Sequence, residues 1–356
     1  MSKKLVLTCV LLILFGIFQS RAETLKDLEM SKSEYKLALM DFSKKLHVSS
    51  ETIFKLLRGG MSSSSIYKYN LENKSFAIRL LSYEASIENR LSELNMHKFL
   101  AEQGLAPNIL YVDNEKDPHI IVMKYIDGRV FNPKFDLVND NIMKQIVDGL
   151  NQIHCSCNIE LYNDTMIDSI KGFVKNLKTE KTVVPSKFFK WYEQLIQEYE
   201  EYKSKNVPIH GDFAPGNIII SKEGRVYFID FQEARNDSVF AEFGYFFYES
   251  GIDNIETIKS VLAKYFNREV KNFELNAVLF YMKATAFLSG MFRLSWIDKN
   301  YTVENLDEIL ENLKENGIDY FKKGDYDKIG LKKLDAQKRA NYVLSFFKDY
   351  ENMKVE

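Results

Sequence analysis

The chain has 356 residues, of which 46% are hydrophobic and 28% are charged, an ordinary composition for a globular protein. This length suits two lobes or two modest domains better than one compact core. With 48 basic and 50 acidic residues the formal net charge is -2, and neither sign forms a long run. The sequence therefore predicts no nucleic-acid-binding surface, which needs a basic stripe, and it indicates no partner protein.

The N-terminus has the pattern of a secretory signal. Lys3 and Lys4 precede an apolar run at residues 5–18, and small residues follow at Ser20 and Ala22. The run is shorter than the ~20 residues that a membrane span needs. We therefore predict a signal-like segment at residues 1–22 and an exported or membrane-associated protein. Two alternatives stay open: an uncleaved membrane anchor, or a cytoplasmic protein whose true start is Met30.

Residues 23–126 show a mixture of helical and strand patterns. Residues 24–48 have the spacing of an amphipathic helix, and residues 84–103 return to that spacing. Runs rich in β-forming residues predict strands at 52–57, 65–70, 75–81, 108–112 and 119–126. We expect this N-lobe to be one antiparallel sheet carrying a single main helix.

Residues 127–356 are mostly helical in pattern, after a predicted hinge at Asp127-Gly128. Helices are predicted at 138–154, 187–205, 254–266, 271–298, 303–316 and 333–350. Between about 208 and 230 the pattern changes to a loop and two short strands, 217–220 and 225–230, joined as a hairpin. The predicted fold class is therefore α+β, with a mixed N-lobe and a mostly helical C-lobe.

Three oxygen-bearing side chains are spaced so that they can meet in and after this loop. Asp212 is followed five residues later by Asn217, and Asp230 ends the second strand of the hairpin. Alone, each is as easily explained by a turn or a helix cap. Together they suit phosphoryl transfer, in which a carboxylate orients the attacking hydroxyl and oxygen ligands hold Mg²⁺ against the phosphates.

Residues 210–217, with the sequence His-Gly-Asp-Phe-Ala-Pro-Gly-Asn, and the following Ile229-Asp230-Phe231 resemble two loops of a known family. These are the catalytic and metal-binding loops of the aminoglycoside phosphotransferase / choline kinase family, relatives of protein kinases. The resemblance covers about residues 50 to 250. It implies a two-lobed protein-kinase-like fold, ATP and Mg²⁺ as cofactors, Asp212 as the catalytic base, and Asn217 and Asp230 as Mg²⁺ ligands.

The same resemblance implies an ATP-binding site in the N-lobe. The segment 59–63, Gly-Gly-Met-Ser-Ser, is similar to the family's phosphate loop. Arg79 resembles the base that reaches the phosphates, Glu93 the helix residue that pairs with it, and residues 122–128 the hinge whose backbone binds adenine. The implied ATP-binding residues are Gly60, Ser62, Ser63, Arg79, Glu93, Met123 and Tyr125.

The sequence departs from the family in the helix after the metal-binding loop, where an Asp is common and this chain has Ala241-Glu242. Either Glu242 substitutes for that Asp in a shifted register, or the support is missing. We also predict Glu242 and Trp296 as acceptor-binding residues, because carboxylates and aromatic faces recognise amines.

These patterns predict an ATP-dependent phosphotransferase that acts on a hydroxyl of a small, amine-bearing molecule. A choline- or ethanolamine-type acceptor is preferred, while aminoglycosides and thiamine stay open. One alternative is a catalytically inactive kinase-like binding module in an exported or membrane context. A protein or peptide acceptor is disfavoured, because no segment like an activation loop separates Asp230 from the next helix.

Overall fold

The computed structural model describes residues 22–57, 64–297, 299–323 and 335–355. These residues divide into two compact units. The first unit contains the described residues as far as Leu94 together with Pro107–Ile126. The second unit contains Asn95–Ala106 and the described residues from Asp127 onward. The predicted signal-like segment lies, apart from Ala22, outside the described residues.

The first unit is built on a six-stranded antiparallel sheet. Its strands are β1 Ala22–Thr24, β2 Ile53–Leu56, β3 Ser65–Leu71, β4 Lys74–Leu80, β5 Ile109–Val112 and β6 Ile120–Lys124. Their order in the sheet is β1-β2-β3-β4-β6-β5. The helices are α1 Leu25–Ser31, α2 Lys36–Lys45 and α3 Ile87–Glu102, the last of which continues into the second unit.

Both faces of this sheet are buried, because side chains alternate along each strand. On one face Ile78 of β4 packs in a cluster with Leu39 and Phe42 of α2. On the other face Ala77 packs in a cluster with Leu94 of α3. The central strands are therefore covered by α2 on one face and by α3 on the other.

The predicted single helix at residues 24–48 is wrong in detail, because Thr24 ends β1 and the segment then forms α1, a short 3-10 helix at Ser33–Tyr35 and α2. Thr24 and Asp27 begin α1 with a capping box, in which the Asp27 N–H donates to Oγ1 of Thr24 at 3.1 Å. The helix ends at Lys32, whose φ of -122° and ψ of 61° are not helical. Apolar spacing alone did not reveal this break.

Deleting residues before Met30 should destabilise the protein. Leu25 is 2% and Leu28 0% exposed, and a chain that starts at Met30 loses both along with β1. Burial of a Leu contributes about 1.5–3 kcal/mol, so we expect a loss of roughly 3–6 kcal/mol of unfolding free energy. Urea unfolding of forms starting at Glu23 and at Met30 measures the difference. Equal midpoints would contradict this role of α1.

The second unit is mostly helical and contains two small sheets. Its strands are β7 Gly128–Val130, β8 Asn206–Ile209, β9 Ile218–Ser221, β10 Val226–Phe228 and β11 Arg235–Ser238. They form a three-stranded sheet of order β10-β9-β7 and a two-stranded sheet of β11 and β8. Its helices, besides the end of α3, are α4 Pro133–Asp136, α5 Asp140–His154, α6 Met166–Glu180, α7 Phe188–Tyr202, α8 Val239–Glu249, α9 Ile255–Phe266, α10 Asn272–Arg293, α11 Val303–Asn312, α12 Gly317–Lys323 and α13 Ala336–Asn352.

Helices α8 and α10 pack closely at the centre of the second unit. A Cβ on Gly244 of α8 would lie 2.7 Å from the backbone carbon of Tyr281 on α10, so a glycine is needed there. In the described part of the chain, the stretch Asn272–Trp296 is the one helical segment long and apolar enough to cross a membrane. Its most apolar window is 72% buried inside the protein, so packing accounts for that composition.

The predicted α+β class, with an antiparallel N-terminal sheet and a helical C-terminal region, is confirmed. In the second unit, strands β7, β8 and β11 and helices α4, α6 and α12 were not predicted. Strands β8 and β11 pair with each other, Arg235 of β11 also forms an isolated bridge with Tyr162, and β11 has the polar sequence Arg-Asn-Asp-Ser. A strand without apolar alternation gives no signal in the sequence.

Candidate active site

Asp212 lies in the loop between β8 and β9, and both of its carboxylate oxygens accept hydrogen bonds. Nδ2 of Asn217 donates to Oδ2 of Asp212 at 2.8 Å and to the Asp212 carbonyl oxygen at 2.8 Å. The hydroxyl of Tyr245, on α8, donates to Oδ1 at 2.5 Å. Because Asn217 makes both contacts through its amide nitrogen, its amide oxygen takes part in neither.

Asp230 follows β10 and is held next to the same loop. The N–H of Ile229, the residue before it, donates to the carbonyl oxygen of Asn217 at 3.0 Å. Asp230 has a φ of 66°, a left-handed conformation that is uncommon for residues other than glycine, although Asp adopts it more readily than most. Strain of this kind is concentrated at functional sites. The structure therefore brings together the three residues that sequence spacing singled out.

The pKa of Asp212 is raised well above its ordinary value. Burial contributes most, and the negative charge of Asp230 contributes next. The hydrogen bond from Tyr245 acts in the opposite direction but is outweighed. A carboxylate with a raised pKa is a stronger base, so this environment favours acceptance of a proton from a hydroxyl.

His210 connects the loop to the strand that leads to Asp230. Its Nε2 donates to the carbonyl oxygen of Ile229 at 3.0 Å, and its Nδ1 accepts the N–H of Asp212 at 3.3 Å. Burial lowers the pKa of His210, which favours the neutral ring that this pattern needs. Gly211 has a φ of +81°, and a Cβ there would lie 2.0 Å from the carbonyl oxygen of Glu233. Only glycine fits that position.

Glu242 fixes the backbone of the loop that carries Asp212. Its Oε2 accepts the N–H of His210 at 2.6 Å and its Oε1 accepts the N–H of Gly211 at 3.0 Å. The side chain is 1% exposed. Burial acts to raise the pKa of Glu242, but the interactions with His154 and His210 outweigh it and the pKa lies below its ordinary value. The carboxylate is therefore ionised and fully engaged.

The donor atoms suit a magnesium ion. The amide oxygen of Asn217 and the carboxylate of Asp230 are oxygen ligands of the kind that Mg²⁺ prefers. Across the residues that the structure describes, no group of three or more His, Cys, Asp or Glu side chains is arranged to hold a metal. One amide and one carboxylate fit Mg²⁺ that keeps water and phosphate ligands, rather than a metal held by protein alone.

In the first unit, the predicted pair of Arg79 and Glu93 is formed. Nε of Arg79 donates to Oε1 of Glu93, and the two residues are 3% and 4% exposed. Met123 lies on β6. The N–H of Tyr125 donates to the carbonyl oxygen of Ser75 at 3.2 Å and so is not free for an adenine ring. The other predicted ATP-binding residues, Gly60, Ser62 and Ser63, lie outside the described residues.

A model of the APH phosphotransferase enzyme family matches residues 53–270, more than half of the chain. The chain belongs to this family. The match confirms the predicted family and enzyme class, a small-molecule kinase. No curated protein sequence matches the chain.

Solved structures of related enzymes share the fold. Choline kinase LicA from Streptococcus pneumoniae is 16% identical, with 89% of this chain and 99% of that chain covered and a TM-score of 0.58. Ethanolamine kinase from Plasmodium vivax is 15% identical, with 76% and 87% covered and a TM-score of 0.58. A variant of aminoglycoside 2′-phosphotransferase IIIa is 15% identical, with 83% and 99% covered and a TM-score of 0.55. These likenesses confirm the protein-kinase-like fold class.

The structure changes the predicted site of this phosphotransferase at two side chains. Glu242 was predicted to bind the acceptor, but both of its oxygens bind backbone N–H groups and the residue is buried. The structure favours the alternative, that Glu242 replaces the missing Asp and positions the catalytic loop. Tyr245 was not singled out, although it contacts Asp212. Its place one turn after Glu242 on α8 was the available signal.

Trp296 lies in a ring cluster beyond the end of α10. Its ring is parallel to that of Tyr342 at 6.2 Å, and the guanidinium of Arg293 is 5.5 Å from its centre. In the described part of the chain, its ring contacts are with these two side chains and not with Asp212. Its predicted role in acceptor binding stays a prediction.

Neutralising Glu93 should weaken both the first unit and nucleotide binding. Glu93→Gln removes the negative charge that pairs with the buried Arg79, and breaking a buried ion pair costs about 3–5 kcal/mol. We expect a lower urea midpoint and an affinity for Mg-ATP reduced about tenfold, measured by calorimetry. Glu102→Gln, an exposed residue on the same helix, is the matched control. Unchanged affinity in a folded Glu93→Gln protein would contradict the predicted role of the pair.

Proposed function

We propose that this phosphotransferase moves the γ-phosphoryl group of ATP to a hydroxyl of a small, amine-bearing molecule. The observation that carries this proposal is the arrangement of Asp212, Asn217 and Asp230. The first two are hydrogen bonded, and the charge of the third raises the pKa of the first. The structures that the chain resembles include LicA in complex with AMP and an aminoglycoside phosphotransferase in complex with GDP.

Asp212 orients the acceptor hydroxyl and accepts its proton. Phosphoryl transfer needs little covalent help from the protein, so positioning and charge stabilisation account for most of the catalysis. Each oxygen of a carboxylate can accept more than one hydrogen bond, so an acceptor hydroxyl can bind beside Tyr245 and Asn217. These two donors hold the carboxylate in one orientation before the acceptor arrives.

Asn217 and Asp230 would hold Mg²⁺. The family resemblance implies that Arg79 would bind phosphate oxygens of ATP. A bound Mg²⁺ would neutralise the negative charge that develops on the phosphates during transfer. Asn217 contributes the amide oxygen that its hydrogen bonds to Asp212 leave over. Glu242 and His210 keep the backbone of the loop in the conformation that presents these ligands.

An amine on the acceptor is supported by the carboxylate of Glu249. This residue lies four positions after Tyr245 on α8, so both side chains lie on one face of the helix. Burial raises the pKa of Glu249 to about 7, and its charge in turn raises the pKa of Asp212. A cation bound there would relieve the cost of the buried charge. Choline and ethanolamine kinases among the similar structures agree with such an acceptor.

The intact set of Asp212, Asn217 and Asp230 favours an active enzyme over an inactive binding module.

We keep export or membrane association as a proposal, based on the N-terminal pattern. N-terminal sequencing of the natural protein checks whether residues 1–22 are removed.

Acceptor-dependent ADP release tests the proposed function. The full chain is incubated with Mg-ATP and, in turn, with choline, ethanolamine, thiamine and an aminoglycoside. We expect ADP release above the rate without acceptor for at least one amine-bearing alcohol, and none when Mg²⁺ is chelated. Binding of Mg-ATP without acceptor-dependent release from any of these compounds would favour the inactive module.

A further inference from the structure

Arg293, in the last turn of α10, is a buried cation for which the described residues supply no carboxylate partner. It is 7% exposed, and its Nη1 donates to the carbonyl oxygen of Ser289 at 2.8 Å. Its Nε is buried and has no hydrogen-bond partner among the described residues. Nor does Arg293 form an ion pair with any carboxylate that the structure describes. Buried guanidinium groups are normally paired, so this one has capacity for an anion.

The guanidinium is held in place by aromatic rings. Its central carbon lies 4.6 Å from the ring centre of Phe346, 5.5 Å from that of Trp296 and 5.9 Å from that of Tyr342. Aromatic faces stabilise a cation without using its N–H groups. The rings therefore fix the position of the guanidinium without using the hydrogen-bonding capacity of Nε.

Phe346 connects Arg293 to helix α8, which carries Tyr245 and Glu249. Phe346, which Arg293 contacts, packs against Tyr248 of α8 with ring centres 6.5 Å apart. The charge of Arg293 also lowers the pKa of Tyr245, whose hydroxyl is bonded to Asp212, and of Glu249, although burial dominates both. Arg293 and Glu249 therefore interact electrostatically, but they do not form an ion pair in the part of the chain that the structure describes.

We propose that the acceptor carries a carboxylate as well as an amine, and that Arg293 binds the carboxylate while Glu249 binds the amine. The proposal rests on the proposed function and specifies its acceptor. One planar guanidinium matches one carboxylate in shape and in charge. A phosphate ester fits less well, because its second negative charge would lie near Asp212 and Glu249. The acceptor class is therefore a small hydroxylated amino acid rather than a simple amino alcohol.

Two pairs of compounds isolate the contribution of the carboxylate. L-Serine is ethanolamine with a carboxylate added, and L-homoserine is 3-aminopropan-1-ol with a carboxylate added. With the full chain and saturating Mg-ATP, we expect kcat/KM to be at least tenfold higher for the amino acid in at least one pair. In Arg293→Gln that advantage should disappear through a higher KM, while kcat/KM for the amino alcohol changes less than threefold. Glu249→Gln should lower kcat/KM for both members, since both carry the amine.

Equal kcat/KM values within both pairs of the wild type would overturn the inference. So would an Arg293→Gln variant that loses activity on amino acid and amino alcohol alike, because that is the signature of a structural role. Arg293→Lys, which keeps the charge, should retain part of the preference for the amino acid. If none of the four compounds is phosphorylated, the inference is wrong, while Asp212-dependent turnover of another alcohol would leave the proposed function standing.

Discussion

Replacing Asp212 with Asn is expected to lower kcat by about 10³-fold or more, because the amide cannot accept the proton of the acceptor hydroxyl. The change is nearly isosteric, and the new amide oxygen can still accept the hydrogen bond of Tyr245 or Asn217. Binding of Mg-ATP should therefore stay within a few-fold of the wild-type value. Steady-state kinetics with the best acceptor, and calorimetry with Mg-ATP, measure the two effects separately.

Asp148→Asn is the matched control for this experiment. Asp148 is an exposed carboxylate on α5 that pairs with Lys144, so its loss should leave the rate unchanged. If Asp212→Asn keeps its acceptor-dependent rate within a few-fold of the wild type, Asp212 is not the base. The variant could also lose activity because it is unfolded. The urea midpoint of the same sample distinguishes this case from the loss of the base.

Replacing Glu242 with Gln should destabilise the protein by about 3 kcal/mol, since one buried carboxylate binds two backbone N–H groups. The Gln amide nitrogen cannot accept either N–H, so one donor is left buried and unsatisfied. We also expect kcat to fall, because His210 and Gly211 set the path of the loop that carries Asp212. Urea unfolding at neutral pH measures the first effect.

The pH dependence gives a further check on Glu242. Its pKa is lower in the folded protein than the ordinary value of 4.5. Its stabilising contribution is therefore present above that value and is lost as the pH falls through the lowered folded pKa. The stability difference between wild type and Glu242→Gln should shrink in that acid range. Glu256→Gln, an exposed residue on α9, is the control, and an equal effect in both variants would contradict the role of Glu242.

The part of the site that could be predicted from the sequence is the part encoded locally. Asp212 and Asn217 are on one loop, and the short hairpin of β9 and β10 returns Asp230 to it. Turn chemistry and strand length were enough to place these three residues together. The apolar spacing of the sheet strands was similarly sufficient to predict the antiparallel sheet of the first unit.

The rest of the site depends on packing between distant segments. Tyr245 reaches Asp212 from a position 33 residues along the chain, and Arg293 approaches the same helix from the end of α10. The sequence showed that Glu242 lies near the position where the family commonly has an Asp. It did not show which groups would donate hydrogen bonds to the Glu242 carboxylate. The pairing of β8 with β11 leads into this loop, and the polar sequence of β11 gave no sign of that pairing.

The position of the metal ion tests the central claim most directly. We expect a crystal structure of the full chain with Mg²⁺ and a non-hydrolysable ATP analogue to show the ion about 2.1 Å from the amide oxygen of Asn217 and from a carboxylate oxygen of Asp230. The carboxylate of Asp212 should remain bonded to Tyr245 or Asn217 and point toward the γ-phosphate. A nucleotide-bound ion that contacts neither Asn217 nor Asp230 would contradict the account.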